Sequence, residues 1–216
     1  MKWRLVKPWS LALALLAFVA GAQGAEAVRF HAVPDDLQRA LTRLAQARGF
    51  TARFEQEISF RGGGAQRYRG EVAVLRPGRF RWRYTSPYEQ LYVSDGQRIW
   101  HYEPDLMQVQ VMRSLQGVDP TVMKLLDGSI DPRQLTVLDI ARDAGGVRRY
   151  HARVGDVTVW IGLTGRGSAA RLAYVERVDA LGNRNVIRLL EMKLAPPPAS
   201  LFAFTPPRGV DVLPLE

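Results

Sequence analysis

The stretch RPGRFRWRY, residues 76–84, sets three aromatic side chains against three arginines in strict alternation. The alternating residues are Phe80, Trp82 and Tyr84 on one side and Arg79, Arg81 and Arg83 on the other. Successive side chains of a β-strand point to opposite faces, so this pattern predicts a strand with one apolar and one cationic face. Because the arginines must lie in water, only the aromatic face of the sheet is available for covering.

Similar period-two patterns, separated by short turn signals, flank this stretch. FTARFEQEISF and RYRGEVAVLR precede it, and EQLYVS, RIWHY and MQVQV follow it. Later strand patterns are RRYHARV, VTVWIGL, RLAYVERVD and NVIRLLEMKL, and residues 202–204 are predicted to form a short edge segment. Short connections force antiparallel neighbours, so the sequence predicts one long antiparallel sheet.

Two segments have helical rather than strand patterns. Between the start signal Pro34-Asp35-Asp36 and the stop signal Gly49, apolar side chains recur at three- and four-residue spacing, at Leu37, Ala40, Leu41, Leu44 and Ala45. Within residues 115–142, two Asp-Pro pairs predict short helices. The first of these, TVMKLLDG, is too short to be stable alone and is expected to lie against the sheet.

The N-terminus has the pattern of a secretory signal peptide. An apolar run at residues 11–20 ends in AGAQGA and follows three basic residues, Lys2, Arg4 and Lys7. We therefore predict that residues 1–25 are cleaved off, at a site between 22 and 25, and that 26–216 form a single domain. With no cysteine, the mature N-terminus cannot be acylated through a thioether. The protein is expected to be exported, and not itself lipidated.

Charge and composition bear on the classes of partner. The formal net charge is +9, and about +6 once the three basic residues of the signal peptide are removed, which suits anionic partners. An exported protein with scattered arginines is a poor candidate for binding nucleic acid. The three histidines, His31, His101 and His151, lack metal-binding spacing, and no nucleophile elbow or nucleotide-binding glycine motif occurs. We therefore predict a binding protein rather than an enzyme, with no metal and no cofactor.

The aromatic face extends onto neighbouring strands by sequence parity. Val72 and Val74 share a side of the preceding strand, and four later residues are expected to continue the face: Leu91, Val93, Trp100 and Tyr102. Two interpretations stay open: a packed core, or a hollow that few helices can cover. Arg76 ends the apolar side of its strand. Its guanidinium either reaches solvent at the rim or binds carbonyls of a covering helix as a latch.

The motifs RPxxFxW, VSDG, WxY and FTPPxGV, in this order and at this spacing, resemble those of the LolA family of periplasmic lipoprotein carriers. They occur here as RPGRFRW, VSDG, WHY and FTPPRGV. The similarity is strongest over residues 46–112, clear over 200–212 and present only as a pattern over 137–190. The sequence has no lipobox cysteine. In this it resembles LolA rather than the receptor LolB, which is itself acylated.

The resemblance implies a mainly β fold, an incomplete antiparallel β-barrel with a short helical lid over an apolar cavity. The cavity would hold the acyl chains of lipoproteins collected from a LolCDE-like inner-membrane ABC transporter and passed to a LolB-like outer-membrane receptor. Arg76 would bond the lid closed, and Phe80 would be needed for transfer. The lid would lie near residues 122–126 and 130–138, represented by Val122, Met123, Leu125, Leu126, Ile130 and Leu135.

The resemblance therefore implies a monomeric periplasmic chaperone. An alternative is a LolA-like protein that binds lipids or senses the envelope without carrying cargo. A third is a periplasmic hydrolase with dispersed carboxylates, which the lack of a nucleophile motif disfavours. Whether the three arginines of the outer strand face also contact an acidic partner is left open by the sequence.

Overall fold

The computed structural model describes residues 32–113, 123–124 and 126–214. The predicted signal peptide and two predicted lid residues, Val122 and Leu125, lie outside the described residues. None of the helices within the described ranges is both long and apolar enough to cross a membrane.

The amphipathic pattern before Gly49 forms the predicted helix. This helix, α1, spans Asp35–Gln46 and is followed by Ala47, whose N–H donates to the carbonyl of Arg43. Leu37, Leu41 and Leu44 lie on its buried side at helical spacing. The two aspartates of the first turn complement the positive end of the helix dipole.

Twelve strands form a single open sheet. In chain order they are β1 Gly49–Ser59, β2 Ala65–Leu75, β3 Arg79–Ser86, β4 Gln90–Asp95, β5 Ile99–Glu103, β6 Gln108–Met112, β7 Thr136–Arg142, β8 Arg148–Val154, β9 Val157–Thr164, β10 Arg171–Val178, β11 Arg184–Lys193 and β12 Asp211–Pro214. The predicted mainly β architecture, an unclosed antiparallel sheet with few helices, is confirmed.

The strand order places β6 and β7 near opposite edges of the sheet. The order is β12-β6-β5-β4-β3-β2-β1-β11-β10-β9-β8-β7, so the chain winds outward from β1 to β6 and returns from β7 to β11. The described residues Met123, Leu126 and Leu135, which lie between β6 and β7 in the chain, are buried in the main hydrophobic cluster. This is the part of the chain where the lid was predicted.

Strand register defines the two faces. Trp82 is paired with Val72 and Tyr92, and this side, the inner face, is covered by α1. Directly paired residues in an antiparallel sheet lie on the same face. Arg81 and Arg83, which alternate with Trp82, therefore belong to the other side, the outer face.

The prediction that four later residues continue the aromatic face was wrong. Leu91 is paired with Arg83 and Tyr102, and Val93 with Arg81 and Trp100. All four, Leu91, Val93, Trp100 and Tyr102, therefore lie on the outer face. Counting parity within each strand could not reveal this, because the register between strands depends on the length of each turn.

Trp100 and Tyr102 are covered by the C-terminal segment instead. Phe204 packs on both, with ring centroids 6.1 Å from Trp100 and 5.8 Å from Tyr102. The predicted edge segment at 202–204 is not a strand, since a short 3-10 helix at Ala199–Phe202 buries Phe202 against Ala73 and Leu75. The edge strand is β12, which pairs in parallel with β6.

The second half of the predicted lid, residues 130–138, also differs from the prediction. Asp131 caps a single 3-10 turn, Pro132–Gln134, by accepting a hydrogen bond from the N–H of Arg133. The strand β7 begins at Thr136, so the predicted lid extends too far when it runs to residue 138. Val137 is fully buried on the inner face, which explains why this apolar stretch belongs to the sheet.

Close packing of rings against the sheet gives a stability prediction at Gly70. A Cβ atom there would lie 1.9 Å from the carbonyl oxygen of Arg83 and 2.7 Å from the ring of Phe54. We expect Gly70→Ala to lower the free energy of unfolding by at least about 2 kcal/mol, because backbone and ring must both move. Urea denaturation would measure it.

The matched control is Gly62→Ala, where a Cβ would meet no atom within 4 Å. The urea midpoint of unfolding of this variant should stay close to that of the parent protein. Equal losses for the two variants would mean that the close approach at Gly70 does not limit stability.

Candidate functional site

Aromatic rings of β1, β3 and β4 form the centre of the inner face. The ring of Trp82 lies 4.6 Å from that of Phe54, which in turn meets Tyr84 edge-on at 5.2 Å. Trp82 is 0% exposed and Phe54 1% exposed. The predicted lining residues Phe80, Val72 and Val74 belong to the same buried cluster. Of the nine predicted lining residues, the structure thus brings together Val72, Val74, Phe80, Trp82 and Tyr84.

Several inner-face residues were not predicted from the sequence. Tyr92 stacks on His101, with ring centroids 4.0 Å apart, where Leu91 and Val93 were expected. Phe50 and Phe54 of β1 are also buried in the cluster. The alternation of FTARFEQ could have indicated the β1 phenylalanines, since Phe50, Ala52 and Phe54 share one parity.

The inner face becomes polar at the end remote from Arg76. The hydroxyl of Tyr84 donates to Oε1 of Gln56 over 3.0 Å, and the amide of Gln56 donates to Oδ1 of Asn185 over 3.0 Å. Burial strongly raises the pKa of Tyr84, with a smaller contribution from Tyr92. Its hydroxyl therefore stays protonated and serves as a donor. The apolar interior is thus bounded by hydrogen-bonding groups at this end.

The described lid residues cover the apolar part of the inner face. Met123 is 7% exposed, Leu126 1% and Leu135 5%, and Ile130 packs against the same cluster while partly buried. The lid buries apolar area of the sheet without forming one of its strands. Its position must therefore be fixed by hydrophobic contact and by polar groups at its ends.

Arg76 supplies those polar groups. Its guanidinium donates to the carbonyls of Leu126 over 2.7 Å, of Ala47 over 2.6 Å and of Asp127 through Nε. Leu126 and Asp127 are at the end of the lid helix, and Ala47 is the C-cap of α1. One side chain next to the end of β2 thus joins the ends of two helices.

These carbonyls are available because a helix leaves its last C=O groups without intrahelical partners. In the lid, the N–H of Asp127 bonds to Met123 and that of Ser129 to Lys124 over 3.0 Å. This i to i−5 bond, with Gly128 at φ +78°, is a Schellman ending. A cation placed at two helix C-termini is also favoured by the helix dipoles.

Burial lowers the pKa of Arg76, and the carboxylate of Asp127 acts in the opposite direction. The guanidinium stays charged at any physiological pH, since an arginine does not lose its proton in proteins. Desolvation of this charge is compensated by the carbonyls of Leu126 and Asp127 in the lid and of Ala47 in α1. The arrangement can therefore act as a reversible polar closure over an apolar interior.

The other helix is fixed more firmly than the lid. Near its start, Asp36 accepts a hydrogen bond from the Tyr150 hydroxyl over 2.8 Å and forms an ion pair with Arg148. Near its end, the guanidinium of Arg43 donates to the carbonyls of Ser168 and Ala170. α1 is thus bonded to β8 near its start and to the connection between β9 and β10 near its end.

The outer-face arginines of β3 and its neighbours are mostly paired. Arg83 bonds to Glu89 and Arg53 to Glu191, while Arg69 lies 3.7 Å from Glu55. Burial, and then the positive charge of Arg83, lower the pKa of Arg81. These carboxylates explain how the cationic side of the strand is tolerated. Within the described residues, no group of three or more His, Cys, Asp or Glu side chains could hold a metal ion.

An open antiparallel sheet with a lid held by polar bonds over an apolar interior defines a class of binding protein with a closable interior. Residues 45–205 match the family model described as outer membrane lipoprotein carrier protein LolA. The chain belongs to the LolA family.

Two relatives agree with this assignment, and one solved structure shares the fold. The chain is 35% identical over 178 residues to an outer-membrane lipoprotein carrier protein of Bordetella pertussis, covering 80% of this chain and 83% of the relative. It is 36% identical to another of Methylibium petroleiphilum, covering 93% of this chain and 96% of that one. The fold is shared with an uncharacterized conserved protein from Thermus thermophilus, at TM-score 0.54 and 13% identity, covering 83% of this chain and 97% of that chain.

Gly128 gives a test of how the lid is held. A Cβ atom there would lie 2.9 Å from Cα of Ala45 and 3.0 Å from Nε of Arg76. We expect Gly128→Ala to separate the guanidinium from the lid and to raise the hydrogen-exchange rate of the Asp127 and Ser129 amides at least about tenfold. Hydrogen exchange followed by mass spectrometry or NMR would measure it.

Gly146→Ala is the matched control, because Gly146 has a similar φ of +76° but no atom within 4 Å of its Cβ position. Both variants carry the strain of a left-handed residue, about 1 kcal/mol. Only the first should affect the lid. If lid amides were protected equally in both, the close approach at Gly128 would not control closure.

Proposed function

We propose that this protein is a periplasmic carrier that accepts acylated lipoproteins and shields their acyl chains against the inner face. The observation that carries the proposal is the Arg76 closure, which joins a removable lid to α1 over a buried aromatic cluster. Membership of a family whose members are named as outer-membrane lipoprotein carriers supports it. The N-terminal sequence pattern of a signal peptide supports export to the periplasm.

The energetics of acyl chains explain why such a container is needed. Each methylene withdrawn from a membrane costs about 0.8 kcal/mol, so several acyl chains together cost on the order of tens of kcal/mol in water. A carrier must replace most of this apolar environment. The inner face offers rings and aliphatic side chains that now contact one another and the lid, and acyl chains would take the place of the lid side chains Met123 and Leu126.

The carrier must also release its cargo. In the closed state, Arg76 is satisfied by three carbonyls, and opening the lid would break its bonds to Leu126 and Asp127 while the bond to Ala47 of α1 remains. The closed empty state is thereby stabilised relative to the open loaded one, which lowers the net affinity for acyl chains. Cargo can then pass to an acceptor that binds more tightly. Phe80, next to this closure, would contact the chains as they enter or leave.

The source and the acceptor follow from the same reasoning. The sequence has no nucleotide-binding motif, so we propose that an inner-membrane ABC transporter of the LolCDE type supplies the energy for extraction. A LolB-like receptor at the outer membrane would be the acceptor. The carrier would work as a monomer, since one chain contains both the apolar face and its lid.

The direct test of carrier activity adds the purified protein to spheroplasts that synthesise a labelled lipoprotein. We expect labelled cargo in the supernatant as a soluble complex, because the protein replaces the membrane environment of the acyl chains. Gel filtration and immunoblotting would detect the complex. Retention of all cargo on spheroplasts that contain the matched transporter would contradict the proposal and favour a lipid-binding or envelope-sensing role.

Arg76→Leu tests the role of the closure. Loss of the bonds that stabilise the closed empty state should leave loading intact but slow transfer from the carrier to receptor-bearing membranes by at least about tenfold. A time course of labelled lipoprotein appearing on outer-membrane vesicles would measure it.

Arg79→Leu is the control, since Arg79 is exposed on the outer face and, among the described residues, its guanidinium has one hydrogen bond, to the carbonyl of Asp95 over 3.2 Å. Both variants should show the parental circular dichroism spectrum. Transfer by Arg76→Leu at the parental rate would rule out a role for the closure in release.

A further inference from the structure

A basic recess lies on the outer face of β8 to β11, remote from the lid. Its volume is about 440 Å³, and its wall includes Arg142, Arg149, Arg184 and Arg188, with the turn at residues 143–145 on one side. The recess is separate from the inner face, so a ligand bound there would not depend on the carrier function.

The floor of the recess is built by Tyr174 and Gly162. A Cβ at position 162 would lie 2.2 Å from the ring of Tyr174, so the ring rests directly on the glycine backbone. Tyr174 is 7% exposed. Burial, and then the nearby charge of Asp143, raise the pKa of Tyr174, so its hydroxyl remains a donor at neutral pH. The floor is thus flat, aromatic and hydrogen-bonding.

Arginine side chains lie on both sides of this floor. Arg188 is paired across the sheet with Tyr174, and Arg149 with Gly162, so the two flank the ring in one row. The guanidinium of Arg149 lies 4.1 Å from the centre of the Trp160 ring, which orients it without neutralising it. A third, Arg184, is occupied by two hydrogen bonds to Glu176, of 2.7 and 2.8 Å.

The two flanking arginines differ from those elsewhere on the outer face. Across the described ranges, no carboxylate lies within ion-pairing distance of Arg149 or Arg188, whereas Arg53, Arg69 and Arg83 all have such partners. Glu55 illustrates this difference between the two groups of arginines. It sits between Arg69 and Arg188 in the sheet, and its ion pair is with Arg69.

We propose that this recess is a docking site for an acidic segment of a partner protein. A guanidinium fork matches a carboxylate in a bidentate geometry, and two unpaired forks can accept two acidic side chains. Tyr, Trp and Arg are the residues most enriched at the energetic centres of protein interfaces. The carboxylates of Glu176 and Asp143 in the wall limit the net positive charge, which suits singly charged carboxylates better than clustered phosphates.

The test uses a fluorescein-labelled hexaglutamate peptide and the purified protein at about 50 mM salt, where surface charges are weakly screened. Fluorescence anisotropy measures the affinity. Arg149→Gln combined with Arg188→Gln is expected to weaken binding about tenfold. The control pair, Arg53→Gln with Arg83→Gln, removes the same charge from the same face and should change affinity by less than about twofold, because both arginines are paired with carboxylates that do not line the recess.

Two results would overturn the proposal. Equal weakening by both pairs would mean that the peptide responds only to overall charge. Binding of phosphatidylglycerol vesicles, but not of the peptide, through the recess arginines would assign the site to a membrane surface. If the double recess variant fails to fold, the single exposed substitution Arg188→Gln is compared with Arg83→Gln. Arg188→Gln is expected to weaken binding by more than about twofold, and equal effects of the two substitutions would overturn the proposal.

Discussion

The closed state depends on a single cation shared by two helix ends. Arg76 can satisfy its donors only because the lid helix ends in a Schellman turn and α1 ends at Ala47, so that three carbonyls without helical partners point toward it. A buried guanidinium without acceptors would be costly. This requirement couples the end of β2, the lid and α1, and it joins them through polar bonds beside an apolar interior.

The sheet is built to separate two environments. Its inner face gathers rings around Trp82, while its outer face carries arginines balanced by glutamates such as Glu89 and Glu55. α1 and the described lid residues Met123, Leu126 and Leu135 cover the inner face, and the sheet they cover is unclosed.

The outer face has an asymmetry of its own. Around β1 to β3 each of the cationic side chains Arg53, Arg69 and Arg83 is close to a carboxylate, but across β8 to β11 two arginines flank a tyrosine without such partners in the described part of the chain. The same residue type therefore has two uses on one surface. The paired arginines keep this face of the sheet hydrated. The unpaired arginines lie beside aromatic rings, and this combination is the composition of an interaction site.

Sequence patterns alone predicted the strands β1 to β6 and β8 to β11, the helix before Gly49, the two-faced β3 and the position of Arg76 at the end of an apolar strand side, but not β7 or β12. The predicted features are local, because period-two and period-3.6 patterns and turn residues act within a few positions. The register of the folded sheet was needed to place Tyr92 and His101, and not Leu91, Val93, Trp100 and Tyr102, on the inner face. The tertiary structure was also needed to show which carbonyls Arg76 contacts and that the space at Gly128 is too small for a larger residue. Register and helix-end contacts join residues far apart in the chain, and no local pattern encodes their pairing.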